Sequence, residues 1–155
     1  MRRINVPIKL SHFKDGGLHP VVKINITNEE HWAVLDTGAS RSVFDNRIFE
    51  MPSEKKRKGN MTTTTLLTSA HTSEFKIPKL KIGMLVIKDY KTITMNLDVL
   101  NKVYHSYGYP NICAILGSDI FYRYNAIIDY RKHQISFSKT LILESQLASS
   151  TTSNK

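Results

Sequence analysis

A run of apolar residues ending on a carboxylate constrains this chain more than any other feature. Residues 31–39 read HWAVLDTGA, so Asp36 closes a strand-like stretch and is followed at once by Thr37, Gly38 and Ala39. An unpaired carboxylate is costly to bury. One placed at the end of such a strand is expected to be there for chemistry, with a second carboxylate close by. The plainer alternative is a turn in which the Asp36 side chain caps backbone amides after the strand.

The rest of the chain reads as many short strands and few helices. Val, Ile, Thr, Tyr and Phe are frequent, which favours strands. The pattern predicts an edge strand at INVPIKL (4–10), with Pro7 tolerable there. Strands 21–27 and 31–36 should form a hairpin around Asn28-Glu29-Glu30, and 42–49 a short apolar-spaced piece compatible with one helical turn. Residues 53–60 read as a charged loop. MTTTTLLT (61–68) and EFKIPKLKIG (74–83) flank Ser69-Ala70-His71-Thr72-Ser73 and read as a projecting hairpin, followed by strand-like residues 84–95. LDVLNKVY (97–104) is compatible with a short helix ended by Gly108-Tyr109-Pro110. ICAILG (112–117) reads as a buried strand, 118–125 has helical spacing, and 126–138 reads as a hairpin turning at Arg131-Lys132-His133. The expectation is one folded domain over 1–143 and a disordered polar tail over 144–155.

Composition removes several function classes. Cys113 is the only cysteine of 155 residues, so neither a disulfide framework nor a cysteine zinc site is available, and Cys113 itself reads as a buried apolar residue. No H-E-x-x-H pattern points to a metal and no glycine-framed serine to a serine nucleophile. No metal or cofactor is expected. No apolar run reaches membrane-spanning length and no signal peptide is evident, so the expected location is cytoplasmic and no membrane partner is expected. The net charge of +9 raises the reading of a nucleic-acid-binding β domain, which predicts steeply salt-dependent binding. The densest basic run, Lys55-Lys56-Arg57-Lys58, has no interleaved aromatic residues and reads as a solvated loop, so no nucleic-acid partner is expected.

Two segments belong together. Ala33-Val34-Leu35-Asp36-Thr37-Gly38-Ala39 is answered by Ala114-Ile115-Leu116-Gly117-Ser118-Asp119-Ile120-Phe121, with Gly117 coming 81 positions after Asp36. This pairing resembles the retropepsin-like, retroviral-type aspartic proteases, over about residues 20–138. The resemblance implies an all-β fold, a closed acid-protease-like β barrel with one short helix and a flap hairpin. It implies Asp36, Thr37 and Gly38 as catalytic residues, with Ala39, Ile115, Leu116 and Gly117 supporting the loop. Ser69, Ala70, His71 and Thr72 would form the flap tip that contacts substrate.

The residue types suit amide hydrolysis, which needs an activated water and a proton donor. Two carboxylates sharing one proton supply both, and such a pair titrates as a unit. The chain has one Asp-Thr-Gly, so the second carboxylate would be Asp36 of another copy, on the twofold axis of a homodimer. Thr37 would bond across to the partner loop, and Gly38 would allow unusual dihedrals and direct its amide at the carboxylate. Ala39 stands where pepsin-type enzymes carry a hydroxyl on the catalytic carboxylate, which implies an activity optimum at about pH 5–6. The expected substrate is an extended peptide or protein segment bound as an added strand. Retropepsin flap tips are usually glycine-rich and this one has no glycine, which supports a rival reading: a silent protease-like homodimer that binds peptides or partner proteins. Asp119 is expected to cap the helix after Gly117, and Asp129 to make a turn hydrogen bond in the last hairpin.

Overall fold

The computed structural model describes residues 3–49 and 73–138. Its strands are β1 (Arg3–His12), β2 (Leu18–Ile26), β3 (Glu29–Leu35), β4 (Val43–Asp45), β5 (Ser73–Ile82), β6 (Leu85–Met95), β7 (Ile112–Leu116), β8 (Ile127–Asp129) and β9 (Gln134–Ser138). Helix α1 spans Asp98–Ser106 and helix α2 Ser118–Arg123, with a 3-10 turn at Asn46–Phe49 after β4. Six strands close into a barrel in the order β2-β3-β7-β4-β6-β5, and β5 returns to β2 through Asn25↔Lys81 and Ile26↔Leu80. The expected all-β barrel is therefore present.

Alternation builds the barrel wall. On β2, Val22, Ile24 and Ile26 are buried while Lys23 between them is exposed, the period-two pattern of a strand with one wet face. They meet Ala33, Leu35, Phe44, Ile77, Leu80, Ile82, Ala114, Leu116 and Ile120 in one core. Each large side chain buried there stabilises the fold by about 1.5–3 kcal/mol.

β1 is not an edge strand, contrary to expectation. Residues 3–7 pair with β9 and residues 8–12 with β2. Pro7 lies where pairing with β9 ends, and the next amide, Ile8 N–H, donates to His133 O at 2.9 Å. The missing proline N–H therefore falls at the hand-over between two partners.

β5 pairs along its length with β6 through a two-residue turn at Gly83-Met84. Gly83 has φ +56°, and a Cβ there would lie 2.7 Å from Val6 Cγ2, so glycine is required for both backbone and space. Residues 74–83, expected as one arm of a flap, thus form a hairpin with the strand that follows them. The other arm, 61–68, and the tip residues Ser69, Ala70, His71 and Thr72 lie outside the described residues, as do Lys55–Lys58 and the 144–155 tail.

Besides α2, the short helix that the resemblance implies, there is α1, on the stretch 97–104 that the sequence marks as compatible with a helix. Asn96 Oδ1 accepts the Asp98 N–H, starting α1, and Gly108 (φ +74°) ends it with its N–H on His105 O. Asn101 is buried and exchanges two hydrogen bonds with Ile112, Nδ2 to O at 3.0 Å and N–H to Oδ1 at 2.7 Å. With Tyr104 it packs α1 on the outside of the barrel, where Val21, Val34 and Ile112 form a small second core. The last hairpin is as predicted, and Asp129 accepts the Lys132 N–H at 2.9 Å.

Candidate active site

β3 and β7 run parallel, with Leu35 opposite Leu116. Parallel neighbours end at the same edge of the sheet, so whatever follows Leu35 lies beside whatever follows Leu116. The Asp36 N–H extends the ladder by one bond, to Leu116 O at 3.0 Å. This is the physical content of the spacing between Asp36 and Gly117.

The chain then turns. Gly38 N–H donates to Asp36 Oδ1 at 2.8 Å and Ala39 N–H to Asp36 O at 3.2 Å. A capping turn and a catalytic loop would both show these bonds. Gly38 does not have a positive φ, so it does not adopt the left-handed backbone, although its amide does point at the carboxylate. A Cβ on it would stand 3.2 Å from Asp36 Oδ1. Asp36, Thr37 and Gly38 are exposed in the single chain. The cost of burying a carboxylate is thus not incurred by the lone chain.

The floor of the loop is α2 and the turn before it. Ser118 N–H donates to Ala39 O at 2.8 Å and Ser118 Oγ to Thr37 O at 3.0 Å. Gly117 is glycine for space: a Cβ would meet Ala39 O at 2.7 Å and the Arg41 carbonyl carbon and oxygen at 2.8 and 2.9 Å. Ile115 holds β7 between its neighbours, opposite Val34 on one side and Val43 on the other. Ala39, Ile115, Leu116 and Gly117 are therefore brought together with Asp36, Thr37 and Gly38.

A polar network beneath this loop escaped the sequence reading. Ser42 is 1 % exposed. Its Oγ accepts the Gly117 N–H at 2.9 Å and donates to Asp119 Oδ1 at 2.7 Å, while its N–H donates to the same oxygen at 2.9 Å. Its carbonyl accepts Thr92 Oγ1 at 3.0 Å. Tyr90 OH donates to Asp119 Oδ2 at 2.5 Å. Burial, and then this contact with Asp119, push the Tyr90 phenol well above its ordinary value. Asp119 is thus not the cap of α2: Gly117 takes the N-cap position with no side-chain cap bond, and the carboxylate instead ties the 36–42 loop to β6. Sequence spacing could not reveal this, because Ser42, Tyr90 and Asp119 are far apart in the chain.

A second unforeseen brace lies next to it. Asp45 is 3 % exposed and is held by Arg47, whose other guanidinium nitrogen reaches Asp98 at the start of α1 at 2.5 Å. Cys113 is buried as expected, and burial pushes its thiol up to about 12, with nearby Asp45 adding to the effect. Among the described residues no group of His, Cys, Asp and Glu is placed to hold a metal, and no helix is long and apolar enough to cross a membrane.

A family model of aspartyl proteases matches residues 22–120. Among solved structures, a retropepsin-like aspartic protease from Rickettsia conorii aligns with 15 % identity and a TM-score of 0.55, over 88 % of this chain and 89 % of that one. The retroviral protease-like domain of Ddi1 from Leishmania major aligns with 14 % identity and a TM-score of 0.51, over 78 % of this chain and 89 % of that one. A search of curated proteins finds no match. The family match spans both segments of the site, from β2 through Asp36 to Ile120 of α2, and the chain belongs to the aspartyl protease family, with the retropepsin-like fold.

Proposed function

We propose that the protein is an aspartic endopeptidase whose site is completed by a second copy of the chain. The observation that carries this reading is Asp36 itself. It is a solvent-facing carboxylate at the end of a buried parallel strand, on a loop braced from below through Gly117, Ser118 and Ser42. One copy supplies one such carboxylate, and the chemistry needs two. In the dimer, a water held between Asp36 and the Asp36 of its twin would lose a proton to the ionised carboxylate as its oxygen attacks the scissile carbonyl. The protonated carboxyl would hydrogen-bond the carbonyl oxygen, and the resulting diol would collapse as a proton passes to the leaving amine. Water and a peptide bond enter; a carboxyl and an amine leave. No metal or cofactor takes part in these steps. Ser69, Ala70, His71 and Thr72 are proposed to close over the substrate, which would lie extended between the flaps and the two Asp36 loops.

The test is cleavage of a diverse peptide library from acid to neutral pH, wild type beside Asp36→Asn, read by mass spectrometry. Cuts made by wild type alone and strongest below neutral pH would support the reading. A dimer with no cuts would favour the binding module that the glycine-free sequence 69–73 suggests.

A further inference from the structure

Away from Asp36, three lysines gather around one concave surface among the described residues. Lys23 stands directly across the β2–β3 ladder from Trp32, and Lys9 comes from β1 alongside. Both ammonium groups lie over the indole, 5.0 Å (Lys9) and 5.4 Å (Lys23) from the ring centroid. They border a groove of about 400 Å³ whose lining also includes Lys81 of β5. One acid, Glu30, shares the lining and pairs with Lys23. None of residues 36–42 or 114–119 lines it.

We propose that this groove is a docking site for an acidic stretch of another polypeptide. Three lysines against one glutamate leave a net charge of two, and the indole fixes two of the ammonium groups at the rim through cation–π contact. Preset cations lower the ordering cost of binding carboxylates. A nucleic acid fits less well, because the Trp32 face that would stack a base is already covered by the ammonium groups. The chain's own segments outside the described residues are poor occupants. Residues 50–72 and 139–155 contain three acids (Glu50, Glu54, Glu144) against six bases (Lys55, Lys56, Arg57, Lys58, Lys139, Lys155).

Trp32 is the only tryptophan in the sequence, so its fluorescence reads the groove directly and needs no cleavage. The full chain is titrated with an oligoglutamate peptide at low and high salt, beside the Lys9→Ala/Lys23→Ala/Lys81→Ala triple variant and Lys81→Glu alone. An oligolysine peptide and oligothymidylate serve as controls. The expected result is a saturable change in Trp32 emission with oligoglutamate, weakened by salt. Affinity should fall about tenfold or more in the triple variant and measurably in Lys81→Glu, which leaves the contacts on Trp32 in place. If the triple variant does not fold, Lys81→Glu decides. No saturable change, equal affinity in a folded variant, or tighter binding of oligothymidylate would overturn the proposal.

Discussion

Ser42 gives both its backbone N–H and its hydroxyl to one oxygen of Asp119, at 2.9 and 2.7 Å. The two residues are 77 positions apart, so the contact clamps the exit of the Asp36 loop to the first turn of α2. The other oxygen takes the Tyr90 hydroxyl. A single carboxylate thereby fixes the loop, the helix and β6 relative to one another.

Removing that carboxylate should loosen the loop before it unfolds the barrel. Asp119→Ala leaves the Ser42 and Tyr90 donors without their acceptor, a loss of about 2–3 kcal/mol. Asp119→Asn keeps one acceptor oxygen for Ser42 and can donate to Tyr90, so it should recover more than half of the lost stability. Thermal melts of the three proteins check this. If Asp36 is catalytic, Asp119→Ala should also lower kcat more than it raises KM, because it misplaces the reacting groups. Equal melting points for all three would refute the clamp.

Gly117→Ala tests the floor of the loop. The added methyl would stand 2.7–2.9 Å from three backbone atoms of Ala39 and Arg41, which cannot move aside as a flexible side chain would. The expected cost is about 1–3 kcal/mol, with any peptidase activity lost even where the barrel still folds. A variant as stable as wild type, by denaturant titration, would contradict the packing of these two turns.

Much of this site was legible in the sequence, and the reason is geometric. Asp36 and Gly117 follow apolar strands that pair in parallel, so local pattern and fold agree at both ends of the contact. The terminal hairpin was readable because its turn is short and its strands adjacent in the chain. What was hidden depends on long-range contacts. Asp119 at a helix start looks like a cap, and only its neighbours reveal otherwise. Asp45 within VFD gives no hint that Arg47 will neutralise it and reach on to Asp98. Pro7 signals an edge for β1, whereas a strand shared by two partners can also spare one N–H.

A shared site makes a quantitative prediction about mixing. If each dimer needs two Asp36 carboxylates, equal amounts of wild type and Asp36→Asn should re-pair at random. Activity per wild-type chain should then fall to about one half under conditions where dimers are saturated. Asp36→Asn can still accept the Gly38 N–H, so it should fold and pair normally. Activity per wild-type chain that stays unchanged on mixing, with subunit exchange confirmed, would place the whole site within one chain.

The buried thiol predicts how stability depends on alkaline pH. Cys113 is 7 % exposed, and its thiol is pushed from an ordinary 9.0 up to about 12 by burial first and by Asp45 second. Its folded pKa is raised, so between those values the native chain holds a proton that the unfolded chain releases. The stabilisation is complete below about pH 9 and is lost as pH rises through about 12. The Tyr90 phenol, raised from 10.0 by burial and Asp119, acts in the same direction and deepens the loss above its own ordinary value. Denaturant titrations should therefore show stability falling from about pH 9 upward. Cys113→Ala should remove the earliest part of that fall and leave the tyrosine part. As the chain's only cysteine, Cys113 should react with an aromatic disulfide reagent only as fast as the barrel opens, and much faster in denaturant. Rapid labelling of the native protein at neutral pH would mean that β7 does not bury this side chain.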